Sequence, residues 1–200
     1  MGFGLLSTGS RGSMLGLAVS AAVFALIAEH RLLPFGVAAA AALPFVLPES
    51  MMARFAGAIT GTDSSTRYRM SIYGACFDMV RDFWLTGIGV AAFAEVYPRY
   101  VYSASNAYHS HNLFLQVMLE LGIVGMTVFM LLLFFWAQRL YRRIALDTTA
   151  ERFLPGVVLS GMAGLLVQGL TDHLWFNYRI VLLFWLVIGL GYAFGKENRE

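Results

Sequence analysis

Charge is what this chain has least of. Of its 200 residues, 13% are charged and 58% hydrophobic, and the mean hydropathy is +0.67. A water-soluble globule has no means of hiding so much apolar surface. The net charge of +2 and the lack of a Lys/Arg run give no reason to expect a nucleic-acid partner. A single cysteine, Cys76, excludes an internal disulfide. It has no neighbouring Cys or His at metal-ligand spacing, so it reads as a small buried hydrophobe. There is no Ser/His/Asp grouping, His-x-x-x-His pair, Walker glycine loop or Asp-x-Asp pair. Neither a metal-dependent mechanism nor a cofactor is therefore expected. Internal repeats and low-complexity tracts are also missing.

What is present in abundance is apolar sequence in long runs, at 14–28, 32–47, 113–137, 153–171 and 180–194. Each approaches the ~20 residues that a helix needs to cross a bilayer. The expected fold is an all-α polytopic membrane protein with about five transmembrane helices. Only Glu29, His30 and Arg31 separate the first two runs, which suits a tilted hairpin or a re-entrant pair. Arg31, then Arg139, Arg142, Arg143 and Arg152, then Lys196 and Arg199 all fall on one side of a five-crossing arrangement. By the positive-inside rule that side is cytoplasmic, which places the long loop 49–110 outside. The opening residues 1–12 lack a charged start and a cleavage site. The 200 residues are accordingly expected to form the C-terminal membrane domain of something longer, with 49–110 as an extracytoplasmic loop inside it.

Within that loop, Ser64, Ser65 and Thr66 can cap a surface helix running to about Asp82. Met70, Tyr73, Phe77 and Val80 form its expected apolar stripe. Arg67, Asp78, Arg81 and Asp82 share the opposite, solvated face, while Arg69 falls nearer the stripe. Thr86-Gly87-Ile88-Gly89 should break the helix.

The most informative stretch is Ser110-His111-Asn112 with Gly122 and Gly125 beyond it. An uninterrupted helix would bring Gly122 back under His111, where small residues admit a second helix and would fix the backbone presenting His111 at the membrane surface. The plain alternative is an interfacial histidine above an ordinary packing patch. Glu120 lies about two turns into an apolar helix, where an unpaired charge costs at least ~2.5–3.5 kcal/mol. It must be protonated, paired or facing a polar cavity, and pairing is the simpler reading. Arg11, in Ser10-Arg11-Gly12-Ser13, can meet a phosphate among small neighbours or simply touch lipid headgroups. Residues 172–179 combine polar and aromatic groups in an interfacial belt that admits an Asp172–Arg179 pair.

Taken together, three stretches resemble the O-antigen ligase and polymerase family, including its bacterial protein O-oligosaccharyltransferases. They are Ser10-Arg11-Gly12-Ser13, the segment from Arg69-Met70-Ser71-Ile72-Tyr73 to Thr86-Gly87-Ile88-Gly89, and His111-Asn112 with Gly122 and Gly125. Tyr73 stands where the family commonly has Trp. The resemblance covers nearly all of this chain but about the C-terminal half of a typical member. It implies an inverting, metal-independent glycosyltransferase in the bacterial cytoplasmic membrane, with its active site on the extracytoplasmic face. The donor would be a glycan on undecaprenyl diphosphate and the acceptor a hydroxyl of a glycan, lipid or protein. It further implies that His111 is the catalytic base or acceptor-positioning group and that Arg69 and Arg11 clamp the diphosphate, with Arg67 a weaker substitute. Asn112, Gly122 and Gly125 would play supporting roles.

A transporter or channel for a small solute or ion is the main alternative, because Glu120 and short broken helices also suit a solute path. Such a path needs polar groups continuing through the bilayer, whereas here they gather at one rim. A purely structural subunit would leave that gathering unexplained.

Overall fold

Among the described residues every regular element is a helix. The computed structural model describes residues 10–46, 49–60, 64–101, 106–146 and 152–194. In chain order the α-helices are α1 (Arg11–Ile27), α2 (Leu33–Val46), α3 (Glu49–Thr60), α4 (Ser64–Phe83), α5 (Phe93–Val96), α6 (Leu113–Leu146), α7 (Phe153–Gly169) and α8 (Tyr178–Phe194). Short 3-10 turns lie at His30–Leu32, Tyr97–Arg99 and Leu174–Phe176.

The apolar runs fold where the sequence places them, but they differ in length. Among the described residues only α6, with 34 residues, is long and apolar enough to cross a membrane. The apolar helices α1, α7 and α8 have 17 residues each, and α2 has 14 with Pro44 inside it. At 1.5 Å per residue, 17 residues reach about 25 Å, short of a hydrocarbon core of about 30 Å. The expectation of five crossings is therefore not confirmed: among the described residues one helix has the length of a full span and four apolar helices are shorter. Helix α3 was not foreseen at all.

The chain divides into two compact units. The first combines α1, α2, α6 from Leu131 onward, α7 to Gln168, and α8. Its helices meet through small residues. A Cβ on Gly16 would lie 2.6 Å from the carbonyl oxygen of Gly164, so the backbones of α1 and α7 touch there. Such close approach is how helices associate where a surrounding apolar solvent removes any hydrophobic drive. Gln168 donates to Ser13 Oγ across the same pair at 2.9 Å. Trp136 of α6 donates its indole N–H to the Ile188 carbonyl of α8 at 2.9 Å, lying against Gly191, where any side chain would collide with the ring.

The second unit spans residues Leu47–Met130 and Gly169–Phe176. Helix α4 buries Ile72, Ala75, Cys76 and Met79 against Phe93, Tyr97, Ala107 and Leu119. This face is rotated from the expected one: Met70 and Phe77 are exposed, Tyr73 and Val80 only partly buried. A helical wheel cannot say which of two apolar-rich faces will find partners, and the loop after α4 supplied them here. Cys76 is fully buried, which pushes its thiol up to about 12. Arg81 lies 3.9 Å from Asp78 and 3.8 Å from Asp82 on the solvated face.

Helix α6 is not continuous. At Gly122 its backbone turns to φ 64° and ψ −168°, and the loop following α4 docks into the break. Ile88 N–H bonds the Leu119 carbonyl at 2.7 Å, Gly89 N–H the Glu120 carbonyl at 3.1 Å, and Ile123 N–H the Trp84 carbonyl at 2.7 Å. The helical hydrogen bonds lost at the break are thus remade with the loop. Gly87 faces Gly122 so closely that a Cβ on either would strike the other segment's backbone, and both have positive φ. The expectation that Gly122 lies beneath His111 to admit a second helix is corrected accordingly. His111 precedes the helix, Gly122 ends its first segment, and a loop rather than a helix approaches. Gly125 sits one turn past the break, where the kink drives Leu121 into the space a side chain would need.

Candidate active site

Helix α6 begins with a capped turn, and the cap explains the His111-Asn112 pair. Asn112 Oδ1 accepts from Leu115 N–H at 2.9 Å, satisfying one of the helix's open donors. Asn112 Nδ2 donates to the Leu170 carbonyl at 3.0 Å, tying the cap to the segment after α7. Just before the cap, His111 takes a left-handed backbone with φ 53°, rare for a residue with a large side chain. That turn aims its imidazole back over α4. Ser110 is held by donation of its N–H to Gln116 Oε1 at 2.8 Å and of its hydroxyl to the Asn112 carbonyl at 2.8 Å.

Around His111 three kinds of group converge: a carboxylate, imidazoles and phenols. Asp172 Oδ1 lies 3.4 Å from His111 Nδ1, within ion-pair reach but off the line of a hydrogen bond. Asp172 thus faces His111 and not Arg179, the partner the sequence admitted; Arg179 donates to Tyr178 Oη at 3.3 Å. The imidazole beside it holds the Asp172 carboxyl below the usual carboxylate range, and its own bond from His173 N–H adds to that against partial burial. His109 stacks at 4.2 Å between ring centres and accepts the His111 backbone N–H on Nδ1 at 3.2 Å. Partial burial, then the charge of His111, keeps His109 below its usual pKa. His173 is driven down to about 4, by burial first and by His109 next. Tyr68 sits edge-on to His111 at 5.7 Å, and Tyr73 donates to the His111 carbonyl at 3.3 Å. Partial burial raises the Tyr73 hydroxyl, against the pull of Asn112 and of the Arg69 charge.

That last interaction separates Arg69 from Arg67 at the start of α4. Arg69 is half-buried, on the Tyr73 side of the helix, and Arg67 is exposed. Arg11 is the first residue of α1, in the first unit. There Ser10 caps the helix, accepting from Ser13 N–H at 3.3 Å and from its hydroxyl at 2.9 Å. Glu120 finds the partners its position demands, accepting from Gln116 Nε2 at 2.9 Å and from Ala91 N–H at 3.3 Å. It belongs to the scaffold under the Ser110–His111 turn and not to a polar path.

The grouping of His109, His111, Asp172 and His173 was missed in the sequence. Asp172 lies 61 residues beyond His111, and the one available signal was the density of polar and aromatic residues at 172–179. His109, His111 and Asp172 each offer a ligand atom within 4.8 Å of the others, the arrangement of a possible metal site that residue spacing did not disclose. The fit is imperfect. His109 Nδ1 already accepts a backbone N–H, which puts the proton of its neutral ring on Nε2 and leaves no free lone pair without breaking that bond.

A family model described as O-antigen ligase matches residues 1–130. The chain belongs to the O-antigen ligase family. No curated protein matches it. Membership in the O-antigen ligase family makes it a bacterial inner-membrane protein of the ligase- or polymerase-type glycan-transfer class. The matched residues include Arg11, Arg67, Arg69, His111, Asn112, Gly122 and Gly125, and stop short of Asp172 and His173.

Proposed function

We propose that this protein transfers a glycan from undecaprenyl diphosphate to an acceptor hydroxyl at the outer face of the bacterial cytoplasmic membrane, with inversion and without a metal. The observation that carries the reading is the Asp172 carboxylate 3.4 Å from His111 Nδ1. A carboxylate there favours the proton on Nδ1 and leaves Nε2 as the base. His111 takes the acceptor's proton as its oxygen attacks the anomeric carbon. The bond from that carbon to the diphosphate breaks, and undecaprenyl diphosphate departs with the electron pair. Arg69, held beside Tyr73, neutralises charge growing on the leaving diphosphate. Arg11 is assigned to the same donor by family resemblance alone, and Arg67 ranks below Arg69 because it faces solvent. The 200 residues are read as the C-terminal membrane domain of a ligase-like protein, with 49–110 outside.

The test is His111→Ala in the full-length protein, assayed with undecaprenyl-diphosphate-linked glycan and candidate acceptors in the presence of chelator. Loss of a general base typically lowers the rate ~10²–10⁴-fold. His111 is partly exposed, so membrane content should stay near normal. Full activity in a well-expressed His111→Ala protein would remove base catalysis by this residue, and loss of wild-type activity with chelator would remove the metal-free mechanism.

A further inference from the structure

The first unit carries a second polar site that glycan transfer leaves unused. Where α6 and α8 meet, Trp136 bonds the Ile188 carbonyl and lies on Gly191, so the two backbones are close. Beyond that contact the helices border an open groove of about 360 Å³ lined by Phe135, Gln138, Arg139, Arg142, Arg143, Leu146 and Tyr192. Those from α6 fall at intervals of three and four residues, which is one helical face, and among the described lining residues none is acidic.

We propose that this groove binds the phosphodiester head group of an anionic phospholipid. Three guanidiniums supply the charge and the forked donors that phosphate oxygens accept. Phe135, Leu146 and Tyr192 supply an apolar wall for the first carbons of an acyl chain, which a free phosphate would not need. The groove lies at the basic C-terminal end of α6, which among the described residues is the helix long and apolar enough to span a bilayer, and the end of such a span is where head groups are met. Arginines at a helix C-terminus are expected simply to complement its dipole, but that role does not require three of them to share a groove with aromatic walls.

The experiment uses the detergent-solubilised full-length protein and titrates phosphatidylglycerol, phosphatidylcholine and inorganic phosphate separately, reading Trp fluorescence and thermal unfolding. Phosphatidylglycerol is expected to bind saturably and raise the melting temperature, and phosphatidylcholine to do neither. Arg139→Gln and Arg142→Gln should each weaken phosphatidylglycerol roughly fivefold, and the double variant by the product of the two. Both side chains are exposed, so these variants should fold. Arg81→Gln, an exposed arginine in the other unit, should leave binding unchanged. Equal binding of the two lipids overturns the proposal, as does wild-type affinity in the double variant. Inorganic phosphate binding as tightly as phosphatidylglycerol would make this a phosphate site and not a lipid site.

Discussion

At His111 a left-handed backbone of a kind that costs about 1–3 kcal/mol places an imidazole against a carboxylate from 61 residues later in the chain. Such strain is tolerated where surrounding bonds over-determine it, and here Asn112, Ser110 and Gln116 do so. If Asp172 orients the ring, Asp172→Asn should lower kcat with little change in KM for either substrate and should shift the acid limb of the rate profile. An unchanged profile would make Asp172 a bystander. Arg69→Lys should also be harmful, because lysine keeps the charge but loses the fork, whereas Arg67→Lys should be nearly silent; transfer assays of the two side by side decide the ranking. The histidines add a stability consequence. His173 has its folded pKa depressed to about 4, so it is neutral in both states above the unfolded value of about 6.5 and costs nothing there. As pH falls from about 6.5 towards 4 the unfolded chain gains the proton first, and stability is lost. Asp172, with its pKa lowered in the fold, acts in the same direction over a more acidic range. The melting temperature should therefore fall as pH drops through that window, and His173→Phe should flatten the upper part of the fall.

At the scale of elements, the helices were legible because apolar runs and caps are local signals. The start of α6 at Leu113 coincides with the start of its apolar run, and α4 begins at Ser64, with the cap position before it outside the described residues. The break at Gly122 was not legible, since within the run 113–137 a glycine reads equally as packing surface or as hinge. What decides it is a loop some 35 residues earlier that offers exactly complementary donors and acceptors through residues 84–89. Likewise Asp172 could not be assigned to His111, because only the α7 connection brings it back. The docked pair of glycines makes a strong prediction. Gly122→Ala or Gly87→Ala places a methyl inside the opposing backbone as well as straining a positive φ, and should destabilise the second unit by more than the roughly 1–3 kcal/mol of strain alone. Gly74→Ala, with open space around it, should be neutral or mildly stabilising in the same melting experiment.

For the whole molecule, the placement of arginines predicts that the 139–152 connection is cytoplasmic and that 49–110 lies outside. Cysteine labelling in intact cells tests it, on a background with Cys76 replaced by Ser. External labelling at 147 with protection at 95 would reverse the orientation and remove the site from the outer face. The break in α6 also changes what counts as membrane. Residues 123–146 alone reach about 36 Å, enough to cross the hydrocarbon without the first segment. Residues 113–121 then need not lie in the hydrocarbon, and Glu120 needs no place in lipid. The biogenesis of the protein divides at the same point. The translocon can insert 123–146 as an ordinary span during synthesis, while 113–121 acquire their shape only when the 84–89 segment closes on them. A signal from that closure, such as protection of the Ile88 and Ile123 amides from exchange, would mark the moment an inserted chain becomes a competent enzyme.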